Sequence, residues 1–274
     1  MLLAIDIGNT ESKLGVFQDE RLVATWRISS DLHRTSDEYA VLILDLLRHG
    51  TVDPKAIKGV ALCSSVPPLN QIFEELSRAY FGAEPLVVGA GVKTGMRILY
   101  DNPREVGADR ITDAVAAYRL YGGPVIVVDL GTATVFDAVS KEGDYLGGAI
   151  APGIVIAAEA LFQRTSKLNR VELVGPKHAI GKNTTHAIQS GIMYGYAGLV
   201  EGVVQRFQEE MGGGAKVVAT GGLAVVVAKE TRVFSVVNTE LTLQGLKYIY
   251  ELNHSAPLAP RLAGAGAQEE QVKG

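Results

Sequence analysis

Cysteine is almost absent from this sequence, and its scarcity excludes whole classes of protein. The 274 residues include one cysteine, Cys63, so an internal disulfide cannot form and a zinc site built on cysteines is excluded. A single thiol is typical of a reducing compartment, and the opening MLLAID is too short an apolar run for a signal peptide. These features predict a cytoplasmic location.

Blocks of positive charge and long apolar runs are missing as well. The 26 Lys and Arg residues are scattered among 30 Asp and Glu residues, and the formal net charge is -4, so the charge pattern predicts no binding to nucleic acid or to an anionic membrane surface. No run approaches the ~18 apolar residues of a membrane span. With 47% hydrophobic residues, the chain can fill a sizeable core. We therefore expect a soluble globular protein.

The order of predicted elements occurs twice along the chain. Three short β runs at 2–8, 13–18 and 21–29 come first, and a helix with Ser36 as its N-cap, a strand, a helix and a strand follow. A second set starts with two strands around residues 129–132 and ends with a strand and a helix. Asp-x-Gly occurs at the start of each set, at an offset of 123 residues.

This duplication predicts an α/β fold of two related domains, each a mixed sheet flanked by helices. The predicted boundaries are residues 1–115 for the first domain and 116–254 for the second. The segment 255–274 is rich in Ala, Gly and Pro and has no apolar period, so we expect it to be disordered.

The repeated turn combines residue types that suit a phosphate group. Asp6-Ile7-Gly8-Asn9-Thr10 and Asp129-Leu130-Gly131-Thr132 each follow an apolar strand. Glycine lets the backbone approach a ligand, backbone N–H groups and Asn or Thr side chains donate to phosphate oxygens, and the acid can hold a cation. One such turn is equally an ordinary hairpin turn. Two such turns at matching places in the two halves of the chain indicate that both turns bind the same nucleotide, one from each side.

Two further segments carry candidate chemistry. Thr220-Gly221-Gly222 lies between an apolar strand and a helix, where the backbone could lie against a base or ribose, or form only a connecting turn. Asp109 and Arg110 occupy the first turn of an amphipathic helix that begins after Gly107. The carboxylate could take a proton from an alcohol and the arginine could bind an anionic group, although the helix dipole alone also favours an acid there.

Together these motifs resemble a known family. The two Asp-x-Gly turns and the Gly-Gly segment are similar to the phosphate-binding and adenosine-binding segments of the actin-like ATPase superfamily, which includes acetate and sugar kinases. Within it, the sequence resembles type III pantothenate kinases from about residue 2 to 250. The segments that carry this resemblance, in the family's order, are DIGNTESK, GADRITDAVAAY, VVDLGTATVFD, YLGGAIAPG, IGKNTTHAIQSGIMYG and ATGGLA.

The resemblance implies a role for each candidate residue. Asp109 matches the general base, and Asp129 matches the ligand of a monovalent cation, K⁺ or NH₄⁺. The positions implied for ATP, which is accompanied by Mg²⁺, are Asp6, Gly8, Asn9, Thr10, Lys13, Gly131, Thr132, Gly221 and Gly222. The positions implied for pantothenate are Tyr100, Gly107, Ala108, Arg110 and Thr184.

For three of these residues the sequence leaves a simpler interpretation open. Lys13 lies a few residues into a strand, where a lysine is often solvated, although it could also reach back to a phosphate. Tyr100 could be a half-buried aromatic side chain at the seam between domains. Thr184 could be only the N-cap of the long helix that follows it.

The function implied is ATP-dependent phosphorylation of pantothenate to 4'-phosphopantothenate, the first step of coenzyme A biosynthesis. The resemblance also implies a homodimer whose active site lies near the subunit interface. The alternative is a non-catalytic or regulatory homologue, such as a transcriptional accessory factor. An intact Asp109 and two intact Asp-x-Gly turns argue against that alternative. A chaperone or filament ATPase ranks last, because such chains are usually longer.

Overall fold

Two five-stranded mixed sheets form the framework of the molecule. The computed structural model describes residues 1–165 and 168–254, so the predicted disordered segment 255–274 lies outside the described residues. In these ranges no helix has both the length and the apolar character needed to cross a bilayer.

The first sheet has the order β3-β2-β1-β4-β5. The first three strands form an antiparallel meander, and β4 and β5 continue the sheet in parallel. The strands are β1 (Leu2–Ile7), β2 (Glu11–Gln18), β3 (Arg21–Ser29), β4 (Gly59–Ser64) and β5 (Leu86–Val87).

The second sheet repeats this plan with the order β8-β7-β6-β9-β10. Its first three strands are again antiparallel and its last two are parallel. The strands are β6 (Val125–Leu130), β7 (Ala133–Val139), β8 (Tyr145–Pro152), β9 (Lys216–Thr220) and β10 (Val236–Val237). The predicted duplication of a mixed α/β domain is therefore confirmed.

Helices cover both faces of each sheet. The helices are α1 (Ser36–His49), α2 (Pro67–Phe81), α3 (Ala108–Tyr121), α4 (Ile154–Gln163), α5 (Thr184–Glu210), the single-turn α6 (Ala224–Val227) and α7 (Leu241–His254). One apolar cluster lies between α1, α2 and the first sheet, and another lies between α4, α5 and the second sheet. The third cluster joins α3 and α7 to both sheets. The resulting layers run helices, sheet, helices, sheet, helices.

The central helix layer is closely packed. At Gly245 on α7, a Cβ atom would lie 2.2 Å from the carbonyl oxygen of Thr112 on α3, so only glycine allows the two helices to approach this closely. Although α7 is the last helix of the described chain, it packs on β1, β2 and β4 of the first sheet. The predicted boundaries at 115 and 254 stay a proposal.

The N-terminus of α1 differs from the prediction. Thr35, and not Ser36, is the N-cap. The Thr35 hydroxyl accepts a hydrogen bond from the Glu38 backbone N–H at 3.3 Å, and the Glu38 carboxylate accepts one from the Thr35 backbone N–H at 2.8 Å. This reciprocal capping box needs an acid three residues after the cap, which Thr35 has and Ser36 lacks.

Alternation along the two central strands directs the paired aspartates toward the same layer. On β1, Leu2 and Ala4 face the α3 and α7 layer while Leu3 and Ile5 face the outer helices. On β6, Val125 and Val127 face that inner layer in the same way. Because side chains alternate with period two along a strand, Asp6 and Asp129 point into the inner layer at the carboxyl ends of their strands.

Candidate active site

A cleft of about 640 Å³ opens at the carboxyl ends of the two central strands. The two predicted phosphate turns lie on opposite sides of it, and the hydroxyls of Thr10 and Thr132 approach to 3.3 Å. Asp109, at the start of α3, also lines the cleft. The structure therefore brings the two turns and the predicted base into one site.

The first turn leaves its donors exposed at the mouth of the cleft. The Gly8 N–H donates to the Glu11 carbonyl at 3.1 Å, which closes the hairpin, and a Cβ atom at Gly8 would lie 2.8 Å from that same oxygen. The Asn9 side-chain amide donates to the Ser65 hydroxyl at 3.3 Å. Ser65 directly follows β4, the parallel neighbour of β1. The turn is thus closed by backbone contacts, and the exposed side chains of Asn9 and Thr10 line the cleft.

The glycine pair after β9 packs against the second turn. Gly221 has φ +89°, and a Cβ atom there would lie 2.3 Å from a carboxylate oxygen of Asp129. Both the backbone conformation and the close approach require glycine at this position. Gly222 and Gly131 line the same cleft. The structure therefore brings all nine residues predicted to bind ATP to the cleft lining.

Six acidic residues line the cleft: the aspartates Asp6, Asp109, Asp113 and Asp129, and the glutamates Glu11 and Glu159. Burial, together with the charge of Asp109, raises the pKa of Asp6 to about 6. Burial and then the charge of Asp6 raise the pKa of Asp129 to about 7. Burial also raises the pKa of Asp113 well above its usual range. Such crowding of acids favours either bound protons or bound cations.

Asp113 is a cleft residue that the sequence analysis did not single out. It is 3% exposed, and its Oδ1 atom has no hydrogen-bond partner among the residues the structure describes. Thr242 donates a hydrogen bond to its carboxylate. The signal was present in the sequence, since Asp113 follows Asp109 by four residues and therefore shares its helix face.

The ammonium group of Lys13 contacts the second half of the chain. It lies 2.9 Å from a carboxylate oxygen of Glu240 and donates to the backbone carbonyl of Thr239. Its side chain is 14% exposed and lines the cleft. The positive charge of Lys13 lowers the pKa of both Asp6 and Asp129 against the effect of burial. Lys13 is therefore neither a solvated surface lysine nor, in the ligand-free protein, an unpaired cation.

Gly107 shapes the position of the Asp109 carboxylate. A Cβ atom at residue 107 would lie 2.4 Å from Oδ1 of Asp109. That same oxygen accepts a hydrogen bond of 2.8 Å from the Arg110 backbone N–H. Gly107 is the N-cap of α3 and makes no side-chain cap. The carboxylate thus occupies the space in which a larger residue at the cap would place its side chain.

Arg110 and Tyr100 lie together beside the cleft, against the second sheet. Arg110 donates two hydrogen bonds to Asp137 on β7, and its guanidinium lies 5.8 Å from the ring centroid of Tyr145. The Tyr100 ring centroid is 6.4 Å from that of Tyr145. Tyr100, Gly107, Ala108 and Arg110 are all partly buried. Of the residues predicted to bind pantothenate, these four are therefore close in space.

Thr184 is placed differently. It is the first residue of α5 and is exposed. The N-cap is Asn183, whose side-chain oxygen accepts from the His186 backbone N–H at 2.8 Å, so the capping interpretation of Thr184 is wrong. Thr184 does not line the cleft.

The carboxylates suit a cation whose remaining ligands come from elsewhere. No group of three or more His, Cys, Asp or Glu side chains within residues 1–165 and 168–254 could hold a metal ion alone. The unpartnered Oδ1 of Asp113 and the crowded Asp129 are hard oxygen donors of the kind that K⁺ or Mg²⁺ accepts. A cation here would need phosphate, water or backbone oxygens to complete its coordination.

Known proteins are similar to this chain in sequence or in fold. The sequence model of the type III pantothenate kinase family matches residues 2–206. A curated relative from Myxococcus xanthus (strain DK1622), named type III pantothenate kinase, is 54% identical over 256 residues, which are 93% of this chain and 100% of that protein.

Two solved structures share the fold at low sequence identity. The first is a protein from Campylobacter jejuni with the provisional name Baf family transcriptional activator, at TM-score 0.58 and 19% identity, covering 92% of this chain and 98% of that one. The second is a protein from Sinorhizobium meliloti with the provisional name 2-dehydro-3-deoxygalactonokinase, at TM-score 0.54 and 12% identity, covering 96% and 100%. Both show that this fold also occurs in proteins of low sequence identity to this chain.

Proposed function

The chain belongs to the type III pantothenate kinase family, and we propose that it transfers the γ-phosphoryl group of ATP to the primary alcohol of pantothenate in the cleft between its two sheets. The product is 4'-phosphopantothenate, so the reaction opens coenzyme A biosynthesis. The observation that carries this proposal is the meeting of both phosphate turns with Asp109 in one cleft.

Different parts of the cleft bind ATP and the acceptor in this reaction. The first turn and Thr132 bind the phosphates of ATP through exposed donors, and the Gly221-Gly222 segment lies against the adenosine. Asp109 orients the acceptor hydroxyl and takes its proton as the new phosphorus–oxygen bond forms. Tyr100, with its neighbours on α3, binds the rest of pantothenate. Positioning and charge neutralisation supply most of the rate in such phosphoryl transfers.

Asp129 is the residue that we propose to hold a monovalent cation, K⁺ or NH₄⁺, while Mg²⁺ accompanies ATP. The six acidic residues that line the cleft would repel a triphosphate, and a cation offsets that repulsion. The crowding of Asp129 by Asp6 and its raised pKa support this assignment.

The direct test is ADP formation by the purified protein with and without pantothenate. We expect ADP to appear only with pantothenate. Asp109→Asn should lower kcat by about 10² to 10⁴, the usual contribution of a general base, and should leave ATP affinity in place. Asp45→Asn, at an exposed position on α1, is the matched control and should retain full activity. Near-normal turnover by the Asp109 variant would exclude it as the base.

The cation is tested by exchanging salts at constant ionic strength. Replacing potassium by sodium should depress the turnover of the wild-type protein, because a site selective for the larger ion is then poorly filled. In Asp129→Asn the difference between the two salts should disappear. Equal wild-type rates in potassium and sodium would contradict the proposed role of Asp129.

A homodimer is the assembly that we propose. Gly191, Gly195 and Gly198 form an exposed face of α5, and a Cβ atom at any of them would find open space. Apolar side chains of β8 and α4 are exposed as well, with Ile150 66% and Ile156 43% exposed. Thr184, remote from the cleft lining, would then serve the pocket of a second subunit.

The cytoplasm is the location that we propose, on the support of a single buried cysteine. The regulatory alternative is not favoured, because the family match and the 54% identical relative both carry the name of a kinase. A chain that bound ATP but formed no ADP with pantothenate would reopen it.

A further inference from the structure

Asp137 is a buried carboxylate that none of the roles above uses. It lies on β7 and is 2% exposed. Three donors converge on its Oδ1 atom: Nε of Arg110 at 3.0 Å, Nη2 of Arg110 at 2.7 Å and the hydroxyl of Tyr145 at 2.6 Å. Hydrogen bonds to an ionised acceptor are among the strongest in proteins.

The surrounding chain is shaped around this contact. Gly148 on β8 is paired with Asp137 across the sheet. A Cβ atom at Gly148 would lie 2.6 Å from Nη2 of Arg110 and 2.7 Å from Oδ1 of Asp137. A side chain at residue 148 would therefore collide with both partners of the ion pair as they are placed.

The contact also fixes an arginine that adjoins the reacting centre. Arg110 follows Asp109 directly, and its side chain is 11% exposed. With Nε and Nη2 bound to Asp137, the Nη1 group has no hydrogen bond within the described ranges 1–165 and 168–254. The ring of Tyr145 lies beside both the guanidinium and Tyr100. Asp137 and Tyr145 thus set the orientation of Arg110 and Tyr100, which belong to the group of residues proposed above to bind pantothenate.

We infer that Asp137, with Tyr145, is a positioning residue that holds Arg110 so that its Nη1 group faces the pantothenate site next to Asp109. The inference rests on the proposed function. Because a guanidinium is planar, fixing two of its nitrogens fixes the direction of the third. Asp137 and Tyr145 act only through Arg110 and Tyr100, so their loss should weaken binding of the acceptor and spare binding of ATP.

The experiment measures both KM values and kcat for Asp137→Asn and Tyr145→Phe. We expect Asp137→Asn to raise KM for pantothenate about ten-fold or more, while KM for ATP changes less than two-fold. Tyr145→Phe keeps the ring and removes one donor, so it should raise KM for pantothenate about three-fold. Glu84→Gln is the control variant. It removes the exposed ion pair between Glu84 and Arg78 in the first half of the chain, and it should alter neither KM value.

The measured KM values distinguish a positioning role for Asp137 and Tyr145 from a general loss of structure. Unchanged KM for pantothenate in both variants, or parallel losses for pantothenate and ATP, would overturn the positioning role. If Asp137→Asn does not fold because Arg110 is left as a buried unpaired charge, Tyr145→Phe decides the question alone. A wild-type protein that makes no ADP with pantothenate refutes the proposed function itself, which is a different result from either variant failing.

Discussion

At the scale of single residues, the absence of a side chain at position 107 controls where the proposed base lies. The carboxylate of Asp109 occupies the volume that a Cβ atom at residue 107 would enter, at 2.4 Å. The Asp109 carboxylate can rotate away from a methyl group added at residue 107. A substitution there would therefore change the position of this carboxylate more than it would lower the stability of the fold. Catalysis is sensitive to displacements of this size.

Gly107→Ala should therefore lower kcat by about ten-fold or more while leaving the melting temperature almost unchanged. Steady-state kinetics and thermal unfolding check the two parts. Gly89→Ala is the matched control, because residue 89 is exposed and a Cβ atom there meets nothing within 4 Å; it should leave kcat unaltered. If Gly107→Ala keeps wild-type turnover, the rotamer of Asp109 is not held by that contact.

The sequence predicted which residues meet in the cleft where the signal is local, since Asp6, Asp109 and Asp129 all line it. Asp6 and Asp129 follow from a repeated turn, and Asp109 from the first turn of a helix. The partner of Lys13 could not be predicted, because Glu240 lies more than 200 residues away along the chain and only tertiary packing brings it to 2.9 Å. Asp137 was missed for the same reason, since a buried acid in an apolar strand shows its partner only in three dimensions.

At the scale of elements, the long helix α5 separates its two faces clearly. Met193, Tyr196 and Val200 are buried against the second sheet, and Gly195 and Gly198 are exposed. The sequence contains these glycines but does not show which side of the helix they occupy. Burial now assigns the glycines to the outside.

Gly195→Leu should convert the proposed dimer to a monomer. A Cβ atom there would meet nothing within 4 Å, and leucine favours the helix over glycine by about 1 kcal/mol. Any loss of assembly would then come from the interface. Sedimentation or light scattering checks the mass, and circular dichroism checks the fold. Gln71→Leu, exposed on α2, is the control. A Gly195→Leu protein that stays dimeric at the same concentration would show that the interface lies elsewhere.

The bounds of the first strands followed from alternation along the sequence. The predicted runs at 2–8 and 21–29 agree closely with β1 and β3, because alternation is a local effect. The start of α1 was misassigned because two neighbouring hydroxyl residues can both cap, and the acid at residue 38 favours Thr35.

At the scale of the whole molecule, the acidic cleft should make stability depend on pH. The pKa of Asp6 is about 6 and that of Asp129 about 7, both above the ordinary value of 3.8. The native state therefore binds more protons than the unfolded chain between about pH 4 and 7, and stability falls as pH rises through this window. Each extra proton contributes at most about 1.4 kcal/mol per pH unit.

We expect the ligand-free protein to resist urea better at pH 5 than at pH 8. Asp129→Asn removes one of these titrations, so its dependence on pH should be flatter and its stability at pH 8 higher than that of the wild type. Urea unfolding at several pH values checks both statements. A variant with the wild-type slope would show that Asp129 does not contribute to it.

The packing of α7 on the first sheet has a consequence for how the chain folds while it is being synthesised. Leu241 and Leu246 share one apolar cluster with Leu2 and Phe17 at the start of the chain. A ribosome that has made only the strands of the first sheet has not yet made α7, which covers their inner face together with α3. The packing on the inner face of the first sheet is therefore completed only when nearly the whole polypeptide has been made. A product truncated before residue 241 would leave apolar surface there accessible to the cell's proteases and chaperones.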